Sequence, residues 1–598
     1  MEKFIEFSKK YCLKELGIIT IVSLIMYFIF YGKQDVYLVD VSREAYLPWQ
    51  MLKGKVLYKD IFNVYGPLGY QINAIAYALL GVKLNTLYLM GFLNSLVICF
   101  TTFFISKLFV DKKTSLCISG LTMFVCVYAK NFFNFIFVYS YNAVYALSGF
   151  LLSLLFALLF LRDKKTSQLL CAFLFAGFSF ANKIEDLPYF VFLFLCLPLF
   201  VKFNEEGAFK KYLFAFCAFM LFPVISFGVL VLQGVSLSDF ISSFDFIQKL
   251  VKAPVTTYFY YNFGLYFNPY IVADVLHSVW TILKTLVPCA VVLYGLNLFV
   301  NRYAQNKFVK AVCNFAVFMV MLFVCAKSYN LLKINYSTIF AWAGMAVCVI
   351  LKVFVLVLVY RFFKYKKLKE QRDIASNQDK MFLFLVISAL AVSFKGLCDV
   401  TITCYGTFTL AALFIPLVIF FAKYVPDYAK YLDKTGLCKT LQNLCIMIMM
   451  GFFFFGIDRI TDGQLYKLAQ PTGTLFIKKV YPMQNDMISY IREHTPKDAV
   501  VLTVPEGAIV NFLAQRDTHN MFYYLIPVNV QIFGEDFILK NIENNPPDYF
   551  LYNTLVYSVY GVGDFCSYAP KVCDFMDKNY YVQRMWKGPV TFILYKHK

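Results

Sequence analysis

Charge is scarce in this sequence: Asp, Glu, Lys and Arg make up only 15% of its 598 residues, while 60% are hydrophobic. So few polar groups cannot cover a water-soluble protein of this length, and a mean hydropathy of +0.63 makes lipid the solvent for most of the chain. The apolar runs lack the period-two alternation of barrel strands, which leaves helices to satisfy the backbone inside a bilayer. Histidine is reduced to His277, His494, His519 and His597, in no ligand-like arrangement, and the seventeen cysteines lie mainly in apolar runs without ligand spacing. Neither set marks a metal site, and most of the cysteines read as core fillers. There is no glycine-rich phosphate loop, since Glu506-Gly507 offers a single glycine. Solenoid repeats and low-complexity tracts are also missing. The first apolar run, Leu16 to Tyr31, is followed by no small-x-small cleavage pattern, so it reads as a retained anchor helix.

What is plentiful is basic charge, with a formal net charge of +20. Its placement argues for topology and against nucleic acid. From an N-terminus carrying Lys3, Lys9, Lys10 and Lys14, every second connection is basic: Lys107 to Lys113, Arg162 to Lys165, Lys202 to Lys211, Arg302 to Lys310, Arg361 to Lys380, and Lys423 to Lys439. By the positive-inside rule these connections and the N-terminus are cytoplasmic. Between them fall apolar spans of about 17 to 25 residues, the length that crosses a hydrocarbon core of roughly 30 Å. They lie near 16–31, 87–108, 114–130, 140–161, 168–183, 187–201, 212–234, 277–300, 311–327, 338–360, 381–397, 405–423 and 441–456. About thirteen spans put the C-terminus on the opposite, extracytoplasmic side. A transmembrane domain over 1–456 and an extracytoplasmic domain over 457–598 are therefore expected.

Two loops on that side are long. The first, 33–86, contains an apolar stretch from Tyr65 to Leu80 bounded by Gly66-Pro67 and Gly81, which suits an interfacial helix better than a span. The second follows Gly234 and carries aromatic residues such as Tyr258 to Tyr261, as an interfacial belt would. After Asp458 charges and prolines return. Ala499 to Val504, Asp548 to Tyr552 and Val590 to Tyr595 read as strands and Ala508 to Ala514 as a helix, giving a small α/β domain. Cys566 and Cys573 lie in it and would pair in an oxidising compartment; two free thiols are the alternative.

Ionisable residues close to a membrane mark function first. Asp40, Arg43 and Glu44 stand at i, i+3 and i+4, so a helix there would bring them to one side. The bland reading is an exposed pair worth a fraction of a kcal/mol. Downstream come Gly54-Lys55-Val56-Leu57-Tyr58-Lys59-Asp60 and Tyr65-Gly66-Pro67-Leu68. Basic residues at the extracytoplasmic ends of spans are Arg43, Lys183, before Glu185 and Asp186, and Lys395, before Asp399 and Tyr405-Gly406-Thr407. For Lys183 the plain alternative is an ion pair with Glu185 or Asp186 and snorkelling to the headgroups.

The acidic motif, Gly-Lys-x-Leu-Tyr-x-Asp, Tyr-Gly-Pro-Leu-x-Tyr and the closing Leu80-Gly81 resemble the first extracytoplasmic loop of the GT-C glycosyltransferase superfamily. The span count is similar too, as are Pro505-Glu506-Gly507, Asn511-Phe512-Leu513, Arg516 and Pro547-Asp548-Tyr549 in the terminal domain. The resemblance implies a mostly α, GT-C-like polytopic fold in a bacterial cytoplasmic (inner) membrane. It also implies inverting transfer of a sugar from a polyprenyl phosphate to an acceptor hydroxyl or amine. A lipid phosphate leaves readily as an anion, so such chemistry needs a carboxylate to take the acceptor proton and cations to hold the phosphate. Asp40 is the candidate base with Glu44 beside it; Arg43, Lys183 and Lys395 are the phosphate candidates; Tyr58, Asp60, Tyr65 and Tyr405 line the substrate loops. Where many relatives have adjacent Asp-Glu, Val41 follows Asp40 here, which leaves open whether Asp40 or Glu44 acts. A divalent Mg or Mn ion held by Asp40, Glu44 and the phosphate is also open. The competing readings are a transporter or flippase for a lipid-linked saccharide, against which stand the odd span count and the acids clustered on one side, and an inactive relative acting in assembly.

Overall fold

A computed structural model describes residues 12–33, 38, 41–128, 134–196, 198, 201, 206–255, 271–304, 306–323, 377–393, 410–424, 439–440, 443–444, 446–447, 465–478, 483–518 and 521–598. Asp40, Lys395, Tyr405, Tyr258 to Tyr261, the span near 338–360 and nearly all of that near 441–456 lie outside the described residues.

Among the described residues the apolar runs form helices. In chain order they are α1 (Leu13–Phe30), α2 (Val41–Leu52), α3 (Leu68–Leu80), α4 (Leu84–Lys107), α5 (Lys112–Thr122, continued by a π turn over Met123–Val127), α6 (Tyr141–Asp163), α7 (Thr166–Asn182), α8 (Leu187–Leu195), α9 (Ala208–Leu232), α10 (Leu237–Lys252), α11 (Ile271–Tyr303), α12 (Asn377–Val392) and α13 (Leu410–Ile419). Among the described residues four of these, α1, α4, α6 and α9, are long and apolar enough to cross a membrane. α3 is not. Its 13 residues reach about 20 Å at about 1.5 Å per residue, short of the roughly 30 Å hydrocarbon core. α6 starts on Ser140, whose hydroxyl accepts the Ala143 N–H, so one of the orphan donors of its first turn is satisfied by a side-chain cap.

The segment before α6 is buried although it is irregular. Phe135 to Val138 are at most 1% exposed, and Asn134 makes that tolerable: its Oδ1 accepts the Ile136 and Phe137 N–H groups and its amide donates to the Lys33 carbonyl.

The C-terminal domain opens with an antiparallel hairpin, β1 (Leu465–Gln470) and β2 (Gly473–Lys478). There follow α14 (Gln484–His494), β3 (Val501–Val504), α15 (Ala508–Ala514), α16 (Pro527–Phe533), α17 (Glu535–Asn544), β4 (Tyr549–Asn553), α18 (Phe565–Tyr568), α19 (Pro570–Asn579), β5 (Tyr580–Trp586) and β6 (Phe592–His597). The second sheet has the order β3-β4-β6-β5, parallel only between β3 and β4. Cys566 and Cys573 form a disulfide. The strands expected around Val504, Tyr552 and Tyr595 are present. β5 and the β1–β2 hairpin come in addition; β5 is an edge strand with a bulge between Val582 and Arg584, which breaks the alternation that would reveal it.

This domain sits against one end of the bundle. The Phe476 N–H donates to the Gly32 carbonyl at 2.7 Å, the Leu84 N–H to Thr472 at 2.8 Å and the Tyr88 hydroxyl to Thr474 at 2.8 Å. The hairpin thus caps the end of α1 and the start of α4 together. Trp49 on α2 and Tyr77 on α3 both meet Phe512 of α15 with ring centroids 5.9 Å apart. Phe62 lies among Phe246 of α10, Phe522 and Phe533, so both long loops and the domain converge on one aromatic cluster.

Candidate functional site

At this convergence α2 is unusually buried for a short helix: Val41 to Gln50 are all buried, with Glu44, Ala45, Leu47 and Gln50 at 0% exposure. Its two charged residues lie inside. Arg43 Nε is 3.0 Å from Glu44 Oε1, with side chains 5% and 0% exposed. Arg43 and Glu44 thus form a buried pair and not an exposed one, while Asp40, three positions before Arg43, lies outside the described residues. A one-sided surface pair needs solvent on the far side, and here α15, α3 and the start of α6 occupy it.

Each carboxylate oxygen of Glu44 is engaged. Oε2 accepts the Tyr141 N–H, at the N-terminus of α6, at 2.9 Å, and Oε1 accepts from Arg43 and, at 3.4 Å, from the Tyr70 hydroxyl. A negative charge at a helix N-terminus is favoured by the macrodipole. Arg43 also donates from Nη2 to the Tyr139 carbonyl at 3.1 Å and lies over the ring of Tyr65 at 4.2 Å. Arg43 is therefore a partner of Glu44, Tyr139 and Tyr65 inside the protein. A guanidinium 3.0 Å away opposes a cation on Glu44, so a Mg or Mn ion shared through this carboxylate does not fit. Among the described residues no group of three or more His, Cys, Asp or Glu is placed to hold a metal ion.

Burial pushes the Glu44 carboxyl above its ordinary range, against the opposing pull of Arg43, the Tyr141 N–H and Tyr70. Folding then holds the Glu44 proton more tightly than the unfolded chain does. The cost of ionising it is absent below the ordinary carboxyl pKa of about 4.3 and grows as pH rises through the raised value. Thermal unfolding in detergent should show stability falling with rising pH across that window. The Glu44→Gln protein should lack this component; an identical pH profile in both would refute the assignment.

The Tyr65-Gly66-Pro67-Leu68-Gly69 motif brings α3 to the same place. A Cβ on Gly66 would stand 2.4 Å from the Ala181 and Asn182 carbonyl oxygens, and one on Gly69 2.0 Å from Asn142 Oδ1. Only glycine permits this approach to the end of α7 and the start of α6. Lys183 caps that end of α7 and pairs with Glu185 at 3.4 Å, the plain partner expected from the sequence. The structure thus brings together Arg43, Glu44, Tyr65 and Lys183, with Tyr70, Tyr139 and Tyr141, which the sequence reading had not singled out.

Tyr58 and Asp60 shape the loop. The Tyr58 hydroxyl donates to the Tyr65 carbonyl, and Asp60 accepts the Val56 N–H at 2.8 Å. Tyr58 takes a left-handed φ of 70°, which closes the turn. In the C-terminal domain, Asn511 ties α15 to β3 through Val501 and Thr503. The Arg516 guanidinium donates to the Arg492 and Thr495 carbonyls. Glu506 accepts the Tyr557 hydroxyl at 2.6 Å. These residues of the terminal resemblance build the domain itself.

No family model and no curated protein matches the chain. Solved structures similar to it include the archaeal oligosaccharyltransferase AglB from Archaeoglobus fulgidus in complex with an inhibitory peptide and a dolichol-phosphate, at 12% identity and a TM-score of 0.49 over 99% of this chain and 75% of that one. They also include ArnT from Cupriavidus metallidurans bound to undecaprenyl phosphate, at 10% identity and a TM-score of 0.41 over 97% of both chains. A third is the Archaeoglobus fulgidus oligosaccharyltransferase with Zn and sulfate, at 11% identity and a TM-score of 0.47 over 97% of this chain and 72% of that one. These likenesses assign neither a substrate nor a residue role to this chain.

Proposed function

We propose that this chain is a membrane glycosyltransferase that moves a sugar from a polyprenyl-phosphate carrier to an acceptor hydroxyl or amine. The work would be done on the extracytoplasmic side of a bacterial inner membrane, crossed by about thirteen helices over 1–456, with 457–598 as the extracytoplasmic domain. The observation that carries this reading is the meeting of a buried carboxylate, a guanidinium and an ammonium, Glu44, Arg43 and Lys183, around Tyr65 where both loops and the terminal domain converge. In this reading Asp40, immediately before α2, is the general base. It takes the acceptor proton while the acceptor oxygen or nitrogen attacks the anomeric carbon. The bond from that carbon to the phosphate oxygen breaks, the configuration inverts and polyprenyl phosphate leaves. Lys183 and Lys395 hold the phosphate, Arg43 adds its charge from behind Tyr65, and Tyr405 lines the substrate path.

Glu44, with both oxygens engaged, holds Arg43 and the start of α6 in register. The test is transfer in membrane vesicles from a panel of radiolabelled polyprenyl-phosphate sugars at matched expression. Asp40→Asn should lose about 100-fold or more in kcat, within the 10²–10⁴ range of general-base removal. Full transfer by Asp40→Asn would end its assignment as base, and loss with Glu44→Gln alone would pass that role to Glu44.

A further inference from the structure

One acidic residue of the C-terminal domain is used by the first loop and by no step above. Asp517 follows α15 and is 8% exposed. Its backbone is fixed to the sheet, because the Val501 N–H of β3 donates to the Asp517 carbonyl at 2.8 Å. Its side chain is gripped by α2 and the residues just beyond it. The Tyr46 hydroxyl donates to Oδ1 at 3.2 Å, Lys53 Nζ lies 3.4 Å from Oδ2, and Lys55 Nζ 3.4 Å from Oδ1. With its amide nitrogen turned inward, Gln50 donates to both oxygens at 3.1 and 3.2 Å. Lys53 is steadied in turn on the ring of Trp49 at 4.1 Å. Six residues further along the same stretch, Tyr523 meets Tyr46 with ring centroids 5.9 Å apart.

We infer that Asp517 is a positioning residue of the site: it clasps α2 to the terminal domain and thereby fixes Arg43 and Glu44, about one turn before Tyr46 and about two turns before Gln50 on that helix. The reasoning is geometric. A 12-residue helix between two loops has no covalent stop against sliding or rotating. A carboxylate bound to the sheet at one end and taking donors from successive turns, Tyr46, Gln50 and Lys53, sets both the rotation and the axial position of α2. Misplacement of catalytic groups by about 1 Å can cost on the order of 100-fold in rate, so a clasp of this kind is felt at the chemistry. It is felt less in the binding of a long lipid carrier. The inference rests on the proposed glycosyl transfer for its kinetic part only.

The experiment uses the full chain in detergent or nanodiscs and reads two things, amide hydrogen exchange and vesicle transfer. In Asp517→Ala and Asp517→Asn, exchange over Val41–Leu52 should rise at least about tenfold, while exchange over Val501–Val504 stays at the wild-type rate. Transfer should fall about tenfold or more in kcat with donor KM within about twofold, and Asp517→Glu should recover part of it. Unchanged exchange over Val41–Leu52 in Asp517→Ala overturns the clasp. Faster exchange with unchanged kcat overturns its role in positioning. Faster exchange in β3 as well makes Asp517 a residue of domain folding and also overturns it. If the wild type transfers from no donor, the proposed function fails, and the exchange arm alone decides the clasp.

Discussion

Replacing Arg43 by alanine is expected to destabilise the chain by about 3–5 kcal/mol, because it leaves the Glu44 carboxylate buried without its countercharge. The pair is fully enclosed, with Glu44 0% exposed, so water cannot take over the lost contact. Three interactions go at once: the ion pair to Glu44, the hydrogen bond to the Tyr139 carbonyl and the stacking over Tyr65. Arg43→Lys should recover only part of this, since an ammonium cannot bridge two acceptors in a plane while lying flat on a ring. The double change Arg43→Met with Glu44→Gln should be milder than Arg43→Ala, because it removes the uncompensated charge along with its partner. Denaturation of the purified protein would check the order. Arg43→Ala unfolding at the wild-type temperature would mean that Glu44 finds another partner.

The second large effect is expected at Gly66. An alanine there must place its Cβ 2.4 Å from two backbone carbonyl oxygens at the end of α7, atoms that no side-chain rotation can clear. Either α3 lifts from α7 or the end of α7 unwinds, and both separate Tyr65 from Lys183. Overpacking of this kind costs about 1–3 kcal/mol, occasionally more, and transfer should be lost even where the protein remains folded. Gly54→Ala is the control in the same loop: its Cβ would meet nothing within 4 Å, although a φ of +89° adds strain of its own. Protease resistance read beside transfer separates folding from function. Wild-type transfer by Gly66→Ala would show that the close approach of α3 to α7 is dispensable.

The helices were legible because the length of an apolar run is a local property: Leu16 to Tyr31 became α1, and the run near 212–234 became part of α9. The bracketing of Tyr65 to Leu80 by glycines and a proline was local too, and α3 is there. The loop residues were legible as a group because motif spacing places them close in sequence. Their environment was not. Whether Arg43 and Glu44 face water or protein depends on Tyr139 and Tyr141, 96 and 97 positions away, and no pattern within a dozen positions encodes that. Asp517 was missed for the same reason; Tyr46, Lys53 and Lys55, which meet its carboxylate beside the neighbouring Thr518 N–H, lie in the first loop, and Arg516 beside it drew attention through its motif. The buried stretch Phe135 to Val138 resembled an ordinary connection, since nothing local announces that Asn134 will satisfy its backbone.

The contact between Tyr46 and Asp517 spans 471 positions of sequence. At synthesis rates of about 5–20 residues per second, α2 emerges roughly half a minute or more before the residue that clasps it exists. For that interval the side of α2 that carries Tyr46 and Trp49 must wait without Asp517 and Phe512. Loop-closure entropy grows only slowly with length, so the delay costs little at equilibrium. Its weight falls on biogenesis: α2 is made early and fastened last, and any chain released before Asp517 carries that helix without the carboxylate that Tyr46, Lys53 and Lys55 meet.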